Sequence, residues 1–262
     1  MIASPANVHV KRIRSLAADR KDRRRERLFV LEGVRLVADA LAHGSSLDLA
    51  LYAPEQLDPT AAGRSLREQL DQLPHTHPAT PQVVAAASDT VHPQGVVALV
   101  RWPAVEPGEP GIVLVLDAIQ DPGNLGTLLR SAEAIGVAEV LCSIGTVDAY
   151  SPKVVRAAMG AHLRLALTQD LSWDETAERL AIVDHIYAAD AEARMPYYAA
   201  DWRQPSALIV GNEARGLSDE ARELARNLIG IPMYGRAESL NAAVAGSVIL
   251  FEALRQRTRG RS

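Results

Sequence analysis

Two apolar runs near the C-terminal end, each released through a polar loop into a helix, constrain this chain more than any other feature. Ala207 to Val210 reads as a buried parallel strand that stops at Gly211. The polar turn after it carries Asn212, Glu213 and Arg215. Ser218 then has the chemistry of a helix N-cap, with Asp219 and Glu220 in the first turn, where the helix dipole favours negative charge. The second run, Leu228 to Met233, ends in the loop Tyr234 to Glu238, after which Ser239, Leu240 and Asn241 open a long helix rich in Ala and Gly. Open α/β sheets hold their ligands at such strand ends.

The order upstream is consistent with that reading. Ile112 to Leu116 is an apolar strand ending at Asp117, and its loop feeds a helix starting near Asn124 and closed by Gly136. Glu139 to Ile144 follows as a strand. Ser151 and Pro152 form an N-cap and first-turn pair for a helix through Met159. Leu163 to Leu167 reads as a strand, Ser172 and Glu175 have capping-box spacing, and His185 to Ala189 is a further strand. Repeated β-α order predicts a mainly parallel sheet with helices on both faces. Before it, strands at Leu28–Leu31, Leu47–Tyr52 and Gly95–Val100 alternate with helices at Gly33–His43 and Ala61–Leu73, the pattern of a smaller α/β domain. The intervening stretch Leu73 to Pro81 reads as a loop. PAVEPGEPG, three prolines and two glycines without periodicity, marks the boundary. The expected domains are therefore residues 1–103 and 111–262, joined by a linker over 104–110.

A chain of 262 residues with 48% hydrophobic and 23% charged residues is that of a soluble globular protein. No run of 18 apolar residues suggests a membrane span, and no apolar leader suggests secretion. One cysteine, Cys142, excludes an intramolecular disulfide, so a cytoplasmic location is expected. His75 and His77 lack further ligands nearby, and no spacing predicts a metal site. The net charge is −4, yet Lys11 to Arg27 holds nine basic and three acidic residues, a local net of +6. Arg255, Arg257, Arg259 and Arg261 add a basic tail. Such clusters suit a phosphate backbone or, equally, a solvated helix face.

Elimination narrows the chemistry without fixing it. DPGNLGTLLR lacks the G-x-G-x-x-G of a dinucleotide site, and there is neither a G-x-x-x-x-G-K-[ST] phosphate loop nor a G-x-S-x-G nucleophile elbow. What remains is an α/β domain for a small-molecule or nucleotide ligand.

DPGNLGTLLRSAEAIG, VGNEARGLS and IPMYGRAESLN also resemble, in order, the three motifs of the SpoU (TrmH-like) RNA 2'-O-methyltransferases of the SPOUT superfamily. LFVLEGVRLVADAL resembles part of the L30e-like domain that precedes the catalytic domain in many members and contacts RNA. The resemblance implies a SPOUT-type trefoil-knotted parallel-sheet domain, S-adenosylmethionine as cofactor, RNA as substrate (rRNA before tRNA) and a homodimer. By motif position, Val210, Gly211, Ile231, Met233 and Leu240 would line the cofactor pocket, and Asn124, Arg130, Glu213, Ser239 and Asn241 would be the functional polar residues. The family casts this Arg as general base. Because guanidinium is effectively always charged, Arg130 is read here as holding the 2'-oxygen or its phosphate, with Glu213 orienting Arg130 or a backbone amide. Lys11, Arg12, Arg14, Arg35, Lys153 and Arg156 are the candidate RNA contacts. Two other readings stay open: a catalytically silent RNA-binding protein of the same fold, and an unrelated nucleotide-binding α/β protein.

Overall fold

A computed structural model describes residues 1–259. It divides into two compact units, and the first combines Met1–Pro103 with Tyr150–Leu163. The second holds Ala104–Ala149 and the chain from Arg164 onward.

The first unit is built on a four-stranded mixed sheet in the order β1-β4-β2-β3, with β1 Leu28–Glu32, β2 Leu47–Tyr52, β3 Thr76–Pro78 and β4 Val96–Arg101. Around it lie α1 (Val8–Ala18), α2 (Arg20–Glu26), α3 (Val34–Ala42), α4 (Pro54–Leu57), α5 (Ala61–Leu70) and α6 (Pro81–Ala87). Val10, Ile13 and Leu16 of α1 pack with Leu28, Leu49, Val83 and Leu99, so α1 is amphipathic through Val10, while Val8 is exposed. Helix α2, RKDRRRE, has no apolar face to reveal it in the sequence. Asp19 caps it by accepting from the Lys21 amide at 2.6 Å. Arg23 is buried and donates to the carbonyls of Leu16 at 2.6 Å and Ala17 at 2.9 Å. Part of the basic stretch is thus internal structure. The expected loop at 73–81 contains β3, which pairs in parallel with β2. Three half-buried polar-flanked residues ending in proline carry no strand signal.

The second unit is an all-parallel seven-stranded sheet in the order β7-β6-β5-β10-β8-β11-β9. Its strands are β5 Ile112–Leu116, β6 Glu139–Ser143, β7 Leu167–Leu171, β8 His185–Ala189, β9 Met195–Pro196, β10 Ser206–Val210 and β11 Asn227–Gly230. The helices are α7 (Pro122–Ile135), α9 (Trp173–Leu180), α10 (Asp219–Leu224) and α11 (Ala242–Arg259), while α8 (Pro152–Ala158) belongs to the first unit. Ala207 and Ile209 of β10 cluster with Leu180 and Ala221 on one face. Val210 meets α11 at Gly246 on the other, as strand alternation requires. Both faces are therefore covered.

Two local expectations change, and α11 packs internally. The strand foreseen at Leu163–Leu167 begins at Leu167, because Ala161–Leu163 is a 3-10 turn and pairing with β6 starts only where Ala166 O accepts from Val140 N. Ser151 precedes α8 but makes no side-chain cap, and its Oγ is buried without a partner. The small residues of α11 pack within this chain, on α7: a Cβ at Gly246 would lie 2.5 Å from Leu128 Cδ2, and Ser247 Oγ meets Ser131 Oγ at 2.8 Å. In the basic tail, Arg255 pairs with Glu252 at 2.6 Å, and Arg257 donates to the Trp202 carbonyl at 3.1 Å. Arg261 and the side chain of Arg259 lie outside the described residues.

Candidate functional site

Residues at the C-terminal ends of β5, β10 and β11 build one cluster. After β10 the loop closes on itself: Asn212 and Gly216 exchange backbone hydrogen bonds at 2.9 Å, and Asn212 Oδ1 accepts from the amides of Ala214 and Arg215. Asn212 Nδ2 donates to the Ala118 carbonyl at 2.7 Å, tying this loop to the one after β5. Asp117, buried at the end of β5, accepts from the Ser218 amide at 2.7 Å. Ser218 in turn caps α10 through the Ala221 amide. The sequence marked Asp117 only as the end of a strand, and Asn212 only as one polar residue of the turn.

Glu213 faces the N-terminus of α7. Its Oε1 accepts from Asn124 Nδ2 at 2.9 Å and the Asp121 amide at 3.1 Å, and its Oε2 accepts from the Gln120 amide at 3.1 Å. Partial burial, the largest single influence, pushes this carboxyl up. The donors from Asn124 and the Gln120 and Asp121 amides together outweigh it, so the group sits below the usual glutamate range and is ionised at neutral pH. Asn124 Oδ1 accepts from Asn241 Nδ2 at 2.9 Å. Asn241 Oδ1 takes the amides of Ala243 and Val244, which makes Asn241 the cap of α11.

Beside this chain of bonds lies a cavity of about 250 Å³, just below the roughly 300–1,000 Å³ usual for small-ligand pockets. All five residues expected to hold the cofactor, Val210, Gly211, Ile231, Met233 and Leu240, line it, together with Glu213 and Ser239. Asn124 and Asn241 stand outside the lining and act on Glu213 and α11. Asp190 and Glu238, which the sequence did not single out, are also on the wall. Asp190 pairs with Arg222 at 2.7 Å. Three carboxylates and no lysine or arginine among the described lining residues suit a cationic ligand with an apolar part. The walls therefore fit a sulfonium-bearing nucleoside.

Gly211 is required for a reason other than ligand approach. A Cβ there would lie 2.6 Å from the carbonyl carbon and oxygen of Gly216 and 2.7 Å from the Leu217 nitrogen. The returning loop, not the cavity, excludes a side chain.

Arg130 is exposed on α7 and is not part of the cavity wall. The α7 stripe Asn124, Leu128, Ser131 faces α11, meeting Asn241, Gly246 and Ser247. Arg130, one residue before Ser131, lies about 100° round the helix from Ser131 and about 120° from Asn124, off that stripe. It has no hydrogen-bond or ion-pair partner among the described residues, and Glu213 does not orient it. Of the candidate RNA contacts, Lys11, Arg14, Arg35 and Lys153 are exposed. Arg12 is held by Glu26 at 2.9 Å and Asp48 at 2.8 Å, and Arg156 by Asp89 at 3.0 Å. No group of three metal-ligating side chains occurs among the described residues, and none of their helices is long and apolar enough to cross a membrane.

Residues 111–251 match the profile of the SpoU rRNA Methylase family, and residues 7–98 match that of the MRM3-like substrate binding domain. An uncharacterized tRNA/rRNA methyltransferase of Synechocystis is 34% identical over 98% of this chain and 94% of its own. A 23S rRNA guanosine 2'-O-methyltransferase of Bacillus subtilis is 30% identical over 95% of this chain and 97% of its own. The crystal structure of the SpoU methyltransferase AviRb from Streptomyces viridochromogenes, in complex with the cofactor AdoMet, superposes with a TM-score of 0.85 at 30% identity. It covers 96% of this chain and 98% of that one.

Proposed function

The chain belongs to the SpoU rRNA methylase family, and from that membership we propose that it is an S-adenosylmethionine-dependent enzyme that methylates a ribose 2'-hydroxyl in ribosomal RNA. The observation that carries this reading is the cavity at the ends of β8, β10 and β11, with three carboxylates, apolar Ile231, Met233 and Leu240, and no basic side chain. The 23S rRNA specificity of the Bacillus subtilis relative and the MRM3-like match over residues 7–98 support rRNA as the substrate class.

When bound, S-adenosylmethionine supplies an electrophilic methyl group on a positively charged sulfur. The chain's own residues do the rest. Glu213 and Glu238 give the wall a negative potential that holds such a cation, while Asp190 is already balanced by Arg222. The bonds from Glu213 to Asn124 and from Asn124 to Asn241 lock three loops before substrate arrives, so little reorganisation remains at reaction. Ser239, exposed at the wall, offers a hydroxyl to the incoming ribose. Arg130, exposed and unpaired among the described residues, is free to grip the 2'-oxygen or the adjacent phosphate; the 2'-oxygen bonds to the methyl carbon in line as the carbon–sulfur bond breaks, and the hydroxyl proton passes to solvent water. The trefoil knot, a homodimer and a cytoplasmic location form part of the same reading. Half-exposed Val244 and Phe251 on α11 support a second copy.

Incubation with methyl-labelled S-adenosylmethionine and unmodified 23S rRNA transcript, followed by nucleoside mass spectrometry, tests the assignment. One 2'-O-methylated nucleoside is expected. A methylated base overturns the reaction, and bound but unmodified RNA reduces the protein to an RNA-binding module.

A further inference from the structure

The first unit contains a second cavity, of about 290 Å³, with mixed lining that the reaction does not use. Arg35 and Arg156 contribute cationic groups, Thr90 and Gln94 neutral polar groups, and Leu36 and Met159 apolar surface. Arg35 is exposed and has no hydrogen-bond or ion-pair partner among the described residues. Arg156 gives Nη2 to Asp89 at 3.0 Å, while its Nη1 is shut off from solvent without any acceptor. Glu32, the one acidic residue of the lining, is already occupied by the Asp89 amide at 2.8 Å and Thr90 Oγ1 at 3.0 Å. Gly33, with φ of 92°, leads into α3 without a side-chain cap.

We propose that this cavity is a nucleotide subsite for the RNA substrate, taking one unpaired nucleotide with its phosphate on Arg35 and Arg156 and its base against Leu36 and Met159. The chemistry fits a nucleotide better than a bare anion. Arg35 matches phosphate through its planar fork with the positive charge of Arg156 beside it, and the apolar pair supplies a surface on which any base can lie. A duplex would offer no base to such a cavity, so the ligand is single-stranded. This inference rests on the reading of the protein as an RNA methyltransferase.

The test uses the full chain saturated with S-adenosylhomocysteine, so that the cofactor cavity is blocked. Hexa-adenylate and hexauridylate are titrated by calorimetry, with the ribonucleoside monophosphates and inorganic phosphate in parallel. Arg35→Glu should weaken hexanucleotide binding at least about tenfold, the scale of removing one charge-assisted hydrogen bond. Phosphate alone should bind far more weakly than the monophosphates. Hexanucleotide affinity unchanged in Arg35→Glu overturns the subsite, as does binding of monophosphates without hexanucleotides, which would make the cavity a free-nucleotide site. Failure of the wild type to bind S-adenosylhomocysteine counts instead against the proposed enzyme activity, so the two failures are separable.

Discussion

Glu213 Oε1 accepts a hydrogen bond from Asn124 Nδ2 at 2.9 Å, joining residues 89 positions apart in the chain. Through its other end Asn124 accepts from Asn241, so a single amide links the loop after β10, the start of α7 and the cap of α11. Only a side chain that donates at one end and accepts at the other can do this.

Asn124→Asp should therefore be worse than Asn124→Ala. Alanine removes two partly exposed hydrogen bonds, a loss of about 1–2 kcal/mol. Aspartate, although favoured near a helix N-terminus by roughly 0.3–1 kcal/mol, sets a second carboxylate against Glu213. Urea unfolding of both variants, with calorimetry of S-adenosylmethionine binding, measures the order. An aspartate variant as stable as wild type would remove the link.

The charge on Glu213 predicts a pH signature. Its carboxyl is below the usual range in the folded protein, so it binds a proton less readily there than in the unfolded chain. Its contribution is fully present above the unfolded glutamate value, about 4.3, and is lost as pH falls through the folded value. The stability gap between wild type and Glu213→Gln should thus be constant near neutrality and close as the solution is acidified below that range. Denaturation across pH 3 to 7, a window of about four units around the reference value, reads it directly. A gap that does not narrow on acidification would contradict the assignment.

Gly211→Val should abolish cofactor binding together with local stability, because the Cβ collides with the backbone of Gly216 and Leu217. Forcing a side chain into that space costs about 1–3 kcal/mol. Unchanged melting temperature with lost cofactor affinity would show instead that the valine blocks the ligand directly. Even Gly211→Ala should lower both, a result that differential scanning calorimetry and cofactor titration can establish.

For RNA, the exposed Lys11 and Arg14 are the residues to change. Deleting residues 1–103 would also strip Tyr150–Leu163 of its own compact unit, which makes truncation a poor test. Replacing Lys11 and Arg14 with alanine should lower affinity and flatten the log–log salt slope, by about 0.7 for each single-strand phosphate that is no longer neutralised. Arg23→Ala, in contrast, should act on folding, since its guanidinium is engaged by the carbonyls of Leu16 and Ala17. A salt slope left unaltered by the Lys11 and Arg14 changes would return the basic stretch to the role of a solvated helix face.

Elements governed by local chemistry were legible in the sequence. Ser172 and Glu175 form both bonds of the capping box, and Gly136 ends α7 in the left-handed conformation. The apolar runs of β5 and β10 lie side by side in parallel. Elements decided by partners far away in the chain were not. Helix α2 forms around a buried arginine that composition presents as surface charge. Strand β7, LTQDL, occupies the sheet edge and has a weaker apolar pattern than LRLAL just before it. In the site, motif position picked out seven residues that line the cavity, but not Glu238, nor Asp190, which reaches it from the end of β8 and shares no pattern with the other loops. The Asn124 amide bridge depends on three loops meeting, which no spacing within one loop encodes.

Arg130 is where sequence position and geometry diverge most, and it yields the most discriminating prediction. Motif position assigns it to the reaction. The structure has it exposed, unpaired among the described residues and about 120° round the helix from Asn124. An exposed, unpaired arginine is free to bind a phosphate or the 2'-oxygen, and its removal would disturb none of the hydrogen bonds or ion pairs among the described residues. Arg130→Ala should therefore leave folding and S-adenosylmethionine affinity near wild type while slowing methyl transfer by at least ~100-fold, about 2.7 kcal/mol of transition-state stabilisation. Arg130→Lys should recover little, because an ammonium keeps the charge but lacks the planar fork. The competing role is a cation at a contact between copies, in which case alanine would shift the sedimentation profile and cofactor binding together. Single-turnover methylation at saturating RNA, paired with sedimentation of each variant, separates the two. A single-turnover rate within a few-fold of wild type in Arg130→Ala would remove this residue from the reaction.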